Sequence, residues 1–138
     1  MSCPVRLATP QLESPRRPVV VLAIDDEDIR AMYAYAVTAA GFDVMTDQAL
    51  TDREGGSPQL LDVIVADVSP GSRHGWTFVR KLKRDRRTSD IAVIAIAADA
   101  GVAACERARH EGCVAMCSST CPADVLASGL RAVLNRFR

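Results

Sequence analysis

The most constraining feature of this chain is a short apolar run that ends in two adjacent acids. Residues 19–24 read Val-Val-Val-Leu-Ala-Ile and are followed by Asp25 and Asp26. A continuous run rich in β-branched residues is typical of a strand that is buried on both faces, as in parallel sheets covered by helices. A second such run, at 63–66, ends in Asp67. We therefore expect a parallel sheet with three carboxylates at the ends of its core strands.

Apolar runs alternate with helical patterns along the rest of the chain. The patterns predict strands at 19–24, 42–46, 63–66, 91–97 and 114–117, and helices at 28–40, 76–84, 100–111 and 122–136. A further helix within 47–61 should be short or irregular, because Gly55, Gly56 and Pro58 interrupt it. This alternation predicts an α/β fold, a flavodoxin-like doubly wound five-stranded parallel sheet of order 2-1-3-4-5 with helices on both faces.

Length and composition indicate one ordinary globular domain. The chain has 138 residues, of which 49% are hydrophobic and 25% charged, and its formal net charge is +0. The prolines and scattered arginines of residues 1–17 predict a flexible leader before a domain at 18–138. A neutral chain has no basic field for nucleic acid, and no apolar run approaches the roughly 20 residues of a membrane span. We expect a cytoplasmic protein that contacts neither nucleic acid nor membrane directly.

Five cysteines raise the question of a metal or redox site. Cys113, Cys117 and Cys121 recur every four residues, with Cys105 and Cys3 elsewhere. No C-x-x-C pair and no neighbouring histidine cluster accompanies them. We interpret them as reduced cysteines that act as small core hydrophobes.

The three strand-end acids define the candidate site. In a sheet of this order the first and third strands are neighbours at the point where strand order reverses, which is where such sheets bind ligands. Two carboxylates about 4 Å apart repel by roughly 4 kcal/mol at an effective dielectric near 20. The pocket must therefore raise a pKa or hold a cation, and a hard divalent ion suits carboxylate ligands. Each acid taken alone also has a competing, purely structural interpretation. In that interpretation Asp25 and Asp26 cap the first helix, and Asp67 begins a turn.

The chain resembles the receiver domain of two-component response regulators over roughly residues 18–136. The resemblance is carried by Val-Val-Leu-Ala-Ile-Asp-Asp-Glu at 20–27, by Asp-Val-Ile-Val-Ala-Asp at 62–67, and by Gly75, eight residues past Asp67. It implies a phosphorelay signalling domain rather than an enzyme, with at most metal-dependent phosphorylation and dephosphorylation of its own side chain.

The resemblance also implies roles for individual residues. Asp67 would accept a phosphoryl group from a sensor histidine kinase or a phosphotransfer protein. Asp26 and Asp67 would bind Mg²⁺ (or Mn²⁺) directly, and Asp25 would bind it through water. The backbone carbonyl of Ser69 would complete the metal site. A downstream protein would bind the face formed by the fourth helix, at 100–111, the fifth strand and the last helix.

Three switch positions depart from the family pattern. Ala97 stands where the family has Thr or Ser, and Met116 stands where it has an aromatic residue. Ungapped counting puts Ser119 in place of the family's Lys, whereas a two-residue insertion would put Cys121 there. In either register the Lys is missing, since no lysine follows Lys83. The phosphorylation-driven switch is therefore expected to be degenerate.

Other functions remain open at this point. A pseudo-receiver would bind partners without being phosphorylated. A phosphatase with an aspartyl nucleophile would require Asp-x-Asp after the first strand, where this chain has Asp25-Asp26-Glu27. A carrier of flavin mononucleotide is disfavoured because an acidic loop repels phosphate.

Several nearby residues receive structural interpretations. Trp76 is expected to pack, and His74 is expected to be an exposed loop histidine. The basic stretch 84–87 is expected to be a solvated helix end. The last helix is expected to bury the following side chains: Val125, Leu126, Leu130, Val133 and Leu134.

Overall fold

A computed structural model describes residues 17–47, 61–119 and 122–136 of the chain. Nearly all of the predicted leader at 1–17 and of the predicted irregular helix within 47–61 lies outside these described residues. Cys3 and Cys121 lie outside them as well.

Strands and helices alternate through the described residues. The strands are β1 (Val19–Ala23), β2 (Asp43–Thr46), β3 (Val63–Asp67), β4 (Ala92–Ala97) and β5 (Ala115–Ser118). The helices are α1 (Glu27–Ala39), α2 (Gly75–Arg84), α3 (Val102–His110) and α4 (Ala123–Arg136). The order across the sheet is β2-β1-β3-β4-β5, and every pair of neighbours is parallel. The predicted α/β fold and its 2-1-3-4-5 order are therefore confirmed.

The core has two layers, one on each face of the sheet. Side chains alternate between faces along a strand, so Val20 and Leu22 of β1 join one hydrophobic cluster and Val21 joins the other. The first cluster includes buried residues of α1 and α4, and the second includes buried residues of α2 and α3. The helices thus cover both faces, which explains why the strands are apolar without interruption.

One prediction about the core is wrong. Val125 is 53% exposed, although its apolar character placed it with the buried residues of the last helix. The buried stripe of α4 runs through Leu126, Leu130 and Val133, which are one and two turns apart. Residue 125 lies about 100° around the helix from residue 126, so it falls outside that stripe.

Among the described helices, none combines the length and the apolar character that crossing a membrane requires.

Candidate functional site

The carboxyl ends of β1 and β3 lie side by side at one edge of the sheet. Ala23 of β1 pairs with Ala66 of β3, and β1 has β2 on its other side. Asp25 and Asp26 therefore follow β1 next to Asp67, the last residue of β3. This is the point at which strand order reverses, as the sequence predicted.

Asp67 is half-buried and is held by the loop that follows it. Its Oδ1 accepts a hydrogen bond from the backbone N–H of Ser69 at 2.9 Å. The Ser69 carbonyl in turn accepts from the backbone N–H of Ser72 at 3.0 Å. The Ser69 hydroxyl oxygen accepts from the backbone N–H of Ala98 at 3.4 Å, just beyond β4. The loop therefore forms a turn that orients Asp67 and is tied to the neighbouring strand.

Asp26 is the N-terminal cap of α1. Its backbone is extended, and its Oδ1 accepts from the backbone N–H groups of Asp28 at 2.9 Å and Ile29 at 3.1 Å. These two amides have no partner within the helix, so the cap stabilises α1. The helix-capping interpretation that the sequence left open is correct for Asp26.

Asp25 is engaged by the loop between β3 and α2. It accepts the backbone N–H of Arg73 at 2.6 Å and the Nε–H of the same arginine at 3.0 Å. The hydroxyl of Ser72 lies 3.5 Å away. Burial raises the pKa of Asp25, but the hydrogen bonds from Arg73 and the attraction of His74 and Arg73 outweigh it. The pKa of Asp25 consequently lies below its ordinary value, and the carboxyl is held as a carboxylate.

His74 is buried, with 6% of its side chain exposed, so the expectation of an exposed loop histidine is wrong. Its Nε2 lies 2.9 Å from Oδ2 of Asp47, just past β2. Its Nδ1 lies 3.2 Å from Oδ1 of Asp25, although without the alignment of a hydrogen bond. The ring also meets the edge of Phe78 at 4.7 Å between centroids. Pattern analysis missed this residue because its burial depends on groups that are far away in the sequence.

The four predicted metal ligands are not gathered into a metal site. Across the described part of the chain, no three side chains of His, Cys, Asp or Glu are placed to hold an ion together. Asp25 faces Arg73, Asp26 caps α1, and the Oδ1 of Asp67 and the carbonyl of Ser69 accept backbone hydrogen bonds. This arrangement does not fit a bound Mg²⁺ ion, whose carboxylate ligands must face a common point.

The predicted switch positions meet at the same edge of the sheet. Ala97, buried at the end of β4, accepts the backbone N–H of Ser119 at 2.8 Å through its carbonyl. The carbonyl of Ser119 accepts the hydroxyl of Tyr33, which reaches across from α1, at 3.0 Å. The structure therefore places Ser119 directly after β5 and beside the end of β4.

A cleft of about 530 Å³ opens beside the loop that follows β3. Ala97, Met116 and Trp76 are among its lining residues. Trp76 packs against the core, as predicted, and the Arg107 guanidinium lies 5.0 Å from the centroid of its ring. Ala97 contributes only a methyl group to this lining.

The parallel sheet and its strand order match the fold of response regulator receiver domains. A response regulator from Thermotoga maritima matches with a TM-score of 0.73 at 15% identity, over 87% of this chain and 99% of its own. The chemotaxis response regulator CheY4 of Vibrio cholerae matches with a TM-score of 0.73 at 20% identity, over 86% of this chain and 100% of its own. A sensor protein from Polaromonas matches with a TM-score of 0.73 at 22% identity, over 89% of this chain and 100% of its own.

No family model and no curated protein matches the sequence. The relationship to these structures is therefore one of fold.

Proposed function

We propose that this chain is a receiver domain of two-component signalling, with Asp67 as its phosphoacceptor and with a degenerate switch. The observation that carries the proposal is the position of Asp67. It ends β3 at the switch point of a receiver fold, next to the acids that follow β1. Such a domain acts in the cytoplasm, where a sensor histidine kinase or a phosphotransfer protein supplies the phosphoryl group.

The chemistry would be the formation of an acyl phosphate. A carboxylate oxygen of Asp67 attacks the phosphorus, and the bond from phosphorus to the donor's histidine nitrogen breaks. That nitrogen keeps the electron pair of the broken bond. The Ser69 backbone N–H holds Oδ1 of Asp67 and so orients the side chain. The proposed metal is Mg²⁺ or Mn²⁺, and the contacts that Asp25, Asp26 and Asp67 make in this structure would have to change before these residues could bind it together.

The degenerate switch follows from the groups that a phosphoryl oxygen would meet. Ala97 supplies no hydroxyl, and Ser119 supplies no ammonium group. Each missing hydrogen bond to a charged group is worth about 1.5–3 kcal/mol, so together roughly 3–6 kcal/mol is lost. Moving a two-state equilibrium from 1:99 to 99:1 takes about 5.5 kcal/mol. Phosphorylation would therefore shift the conformation of this domain only weakly.

The proposed output surface is the face formed by α3, β5 and α4, which would bind a downstream protein. Exposed apolar side chains on both of its helices support this choice. Val102 on α3 is 77% exposed, and Val125 on α4 is 53% exposed. Buried apolar contacts at such positions are a source of affinity in protein interfaces.

The proposal is tested by labelling with a small phosphodonor. Acetyl phosphate with Mg²⁺ should add one phosphoryl group, detected by intact mass, and Asp67→Asn should abolish the addition. Asp99→Asn is the matched control, because Asp99 is an exposed acid in the loop that follows β4 at the same edge. Equal labelling of wild type and Asp67→Asn would refute Asp67 as the phosphoacceptor.

The degenerate switch has its own test. Beryllofluoride should produce small amide shifts in the α3–β5–α4 face of the wild type. Larger shifts are expected in a variant that combines Ala97→Thr with Ser119→Lys. A large wild-type shift that reaches Met116 would show that the switch operates through other residues.

A second candidate is the pseudo-receiver, a binding module that works without phosphorylation. The observation in its favour is the pairing of Asp25 with Arg73, which already neutralises an acid of the site. This candidate predicts that acetyl phosphate labels neither wild type nor Asp67→Asn, and that both bind the downstream partner equally.

A further inference from the structure

The cleft beside the loop that follows β3 has mostly apolar walls. It measures about 530 Å³, within the roughly 300–1,000 Å³ that is usual for small-molecule sites. Gly71 and Gly75 border it without side chains. Its apolar lining includes the following side chains: Val68, Pro70, Trp76, Ala97, Ala104 and Met116. These walls leave room for a rigid apolar body such as a pair of fused rings.

A cationic side chain reaches this cleft from α3. Arg107 lines it, and the guanidinium lies 5.0 Å from the centroid of the Trp76 ring. The Nε–H of Arg107 donates to Oε2 of Glu111 at 2.9 Å. Within the described part of the chain, no acceptor lies in hydrogen-bonding position to the terminal nitrogens of Arg107. Those nitrogens are therefore able to donate to a ligand.

The positive charge of Arg107 is only partly neutralised. Glu111 also accepts from Arg80 of α2, whose terminal nitrogen lies 3.1 Å from the same carboxylate oxygen. One carboxylate thus serves two guanidinium groups, so one positive charge is left over. Asp99 borders the cleft as well, but its Oδ1 accepts the backbone N–H of Gly101 at 3.1 Å. That N–H precedes Arg107 by about 9 Å along a helix axis, so acid and guanidinium lie toward different ends of α3.

We propose that this cleft binds a small aromatic carboxylate, with its rings against Trp76 and Met116 and its carboxylate on the terminal nitrogens of Arg107. Indole rings and thioethers both make favourable contacts with aromatic rings. A planar carboxylate matches the fork of a guanidinium. Because Glu111 and Trp76 already hold that guanidinium, its ordering on binding costs little. The inference goes beyond the proposed function, since it requires neither a metal nor a phosphoryl group.

Such a ligand would contact the proposed output face directly. Ala103 and Ala104 belong to α3, and Met116 belongs to β5. Ser69 also borders the cleft, and its backbone N–H holds Oδ1 of Asp67. Occupation of the cleft would therefore connect the surroundings of Asp67 with the α3–β5–α4 face.

The test is a titration with naphthoate followed by amide shifts, at one ionic strength and without metal or phosphodonor. A ligand of this size should bind with a dissociation constant on the order of 1 mM, and the shifts should include Trp76 and Ala104. Naphthamide, which has the same rings without the charge, should bind roughly fivefold more weakly, as loss of one partly exposed ion pair implies. No saturable shift with naphthoate, or equal affinity for the two probes, would overturn the proposal.

Charge variants test the role of Arg107. Arg107→Gln should weaken naphthoate binding roughly fivefold and leave naphthamide binding unchanged. Arg109→Gln is the matched control, because Arg109 is an exposed arginine of the same helix that does not line the cleft. Its affinity for naphthoate should stay close to that of wild type, and an equal loss in both variants would show that only net charge acts. Asp99→Asn removes the acid of the cleft and should tighten naphthoate binding about twofold, whereas weaker binding would contradict entry of the ligand as an anion.

Filling the cleft tests the location of the site. Ala104→Phe places a ring in the cleft and should abolish binding of both probes. Ala103→Phe is made alongside it, because Ala103 is an exposed lining residue and its replacement does not disturb the core. The urea midpoint of each variant shows that the domain is folded. Undiminished binding of naphthoate in a folded variant of both kinds would place the ligand elsewhere and overturn the proposal.

Discussion

Removing the cap of α1 tests whether Asp26 serves the helix in the way that its hydrogen bonds indicate. In Asp26→Ala, the backbone N–H groups of Asp28 and Ile29 lose their shared acceptor. Loss of an N-terminal cap typically costs about 1 kcal/mol. Loss of a negative charge at a helix N-terminus costs about 0.3–1 kcal/mol more. We expect Asp26→Ala to lower the free energy of unfolding by roughly 1.5 kcal/mol.

Asp26→Asn separates the two contributions, because asparagine caps as well as aspartate but carries no charge. Its expected cost is about 0.5 kcal/mol. Asp28→Ala is the control: it removes a charge from the first turn of α1 and leaves the cap in place.

Urea unfolding followed by circular dichroism measures all three variants. With an m-value of about 2 kcal/mol/M, the Asp26→Ala midpoint should fall by about 0.75 M and the other two midpoints by about 0.25 M. If Asp26 instead stood in a cluster of unneutralised acids, both Asp26 variants would relieve repulsion. Midpoints above that of wild type for Asp26→Ala and Asp26→Asn would therefore refute the reasoning.

Three further predictions concern groups around the site and the core. Tyr33→Phe removes the hydroxyl that donates to the Ser119 carbonyl, so we expect the free energy of unfolding in urea to fall by about 1 kcal/mol. An unchanged urea midpoint would contradict that hydrogen bond. Burial raises the pKa of the Cys113 thiol to about 11, so this thiol should react more slowly with iodoacetamide at pH 8 than the half-buried Cys117. Peptide mass spectrometry of the treated native protein measures the two alkylation rates. Equal rates would argue against the burial of Cys113. Hydrogen bonds from two arginines lower the pKa of Glu111. The ionised side chain therefore stabilises the fold at pH values above the ordinary glutamate pKa, and this stabilisation is lost as pH falls through the lowered pKa. Glu111→Gln should therefore flatten the acid-side fall of stability in urea melts at several pH values, whereas an unchanged slope would count against these bonds.

The sequence by itself determined the fold and the positions of the strand-end acids. Every predicted strand and helix boundary that falls on described residues lies within two residues of the observed one. The reason is that strand and helix periods are local, and a strand buried on both faces leaves a continuous apolar run that ends where the chain meets water. The placement of Asp67 next to Asp25 and Asp26 then followed from the strand order alone.

The tertiary structure decided what each of those acids contacts. Asp25 pairs with Arg73, which is 48 positions away, and His74 is buried between carboxylates that follow two different strands. These contacts form only because the crossover into α2 brings its loop over the ends of β1 and β2. The exposure of Val125 has a similar origin, because the tertiary structure decides which face of α4 packs against the sheet, and Val125 lies outside that face. Periodicity shows that a side chain is apolar or charged, whereas its partner is set by elements that are distant in the chain and become neighbours only in the folded domain.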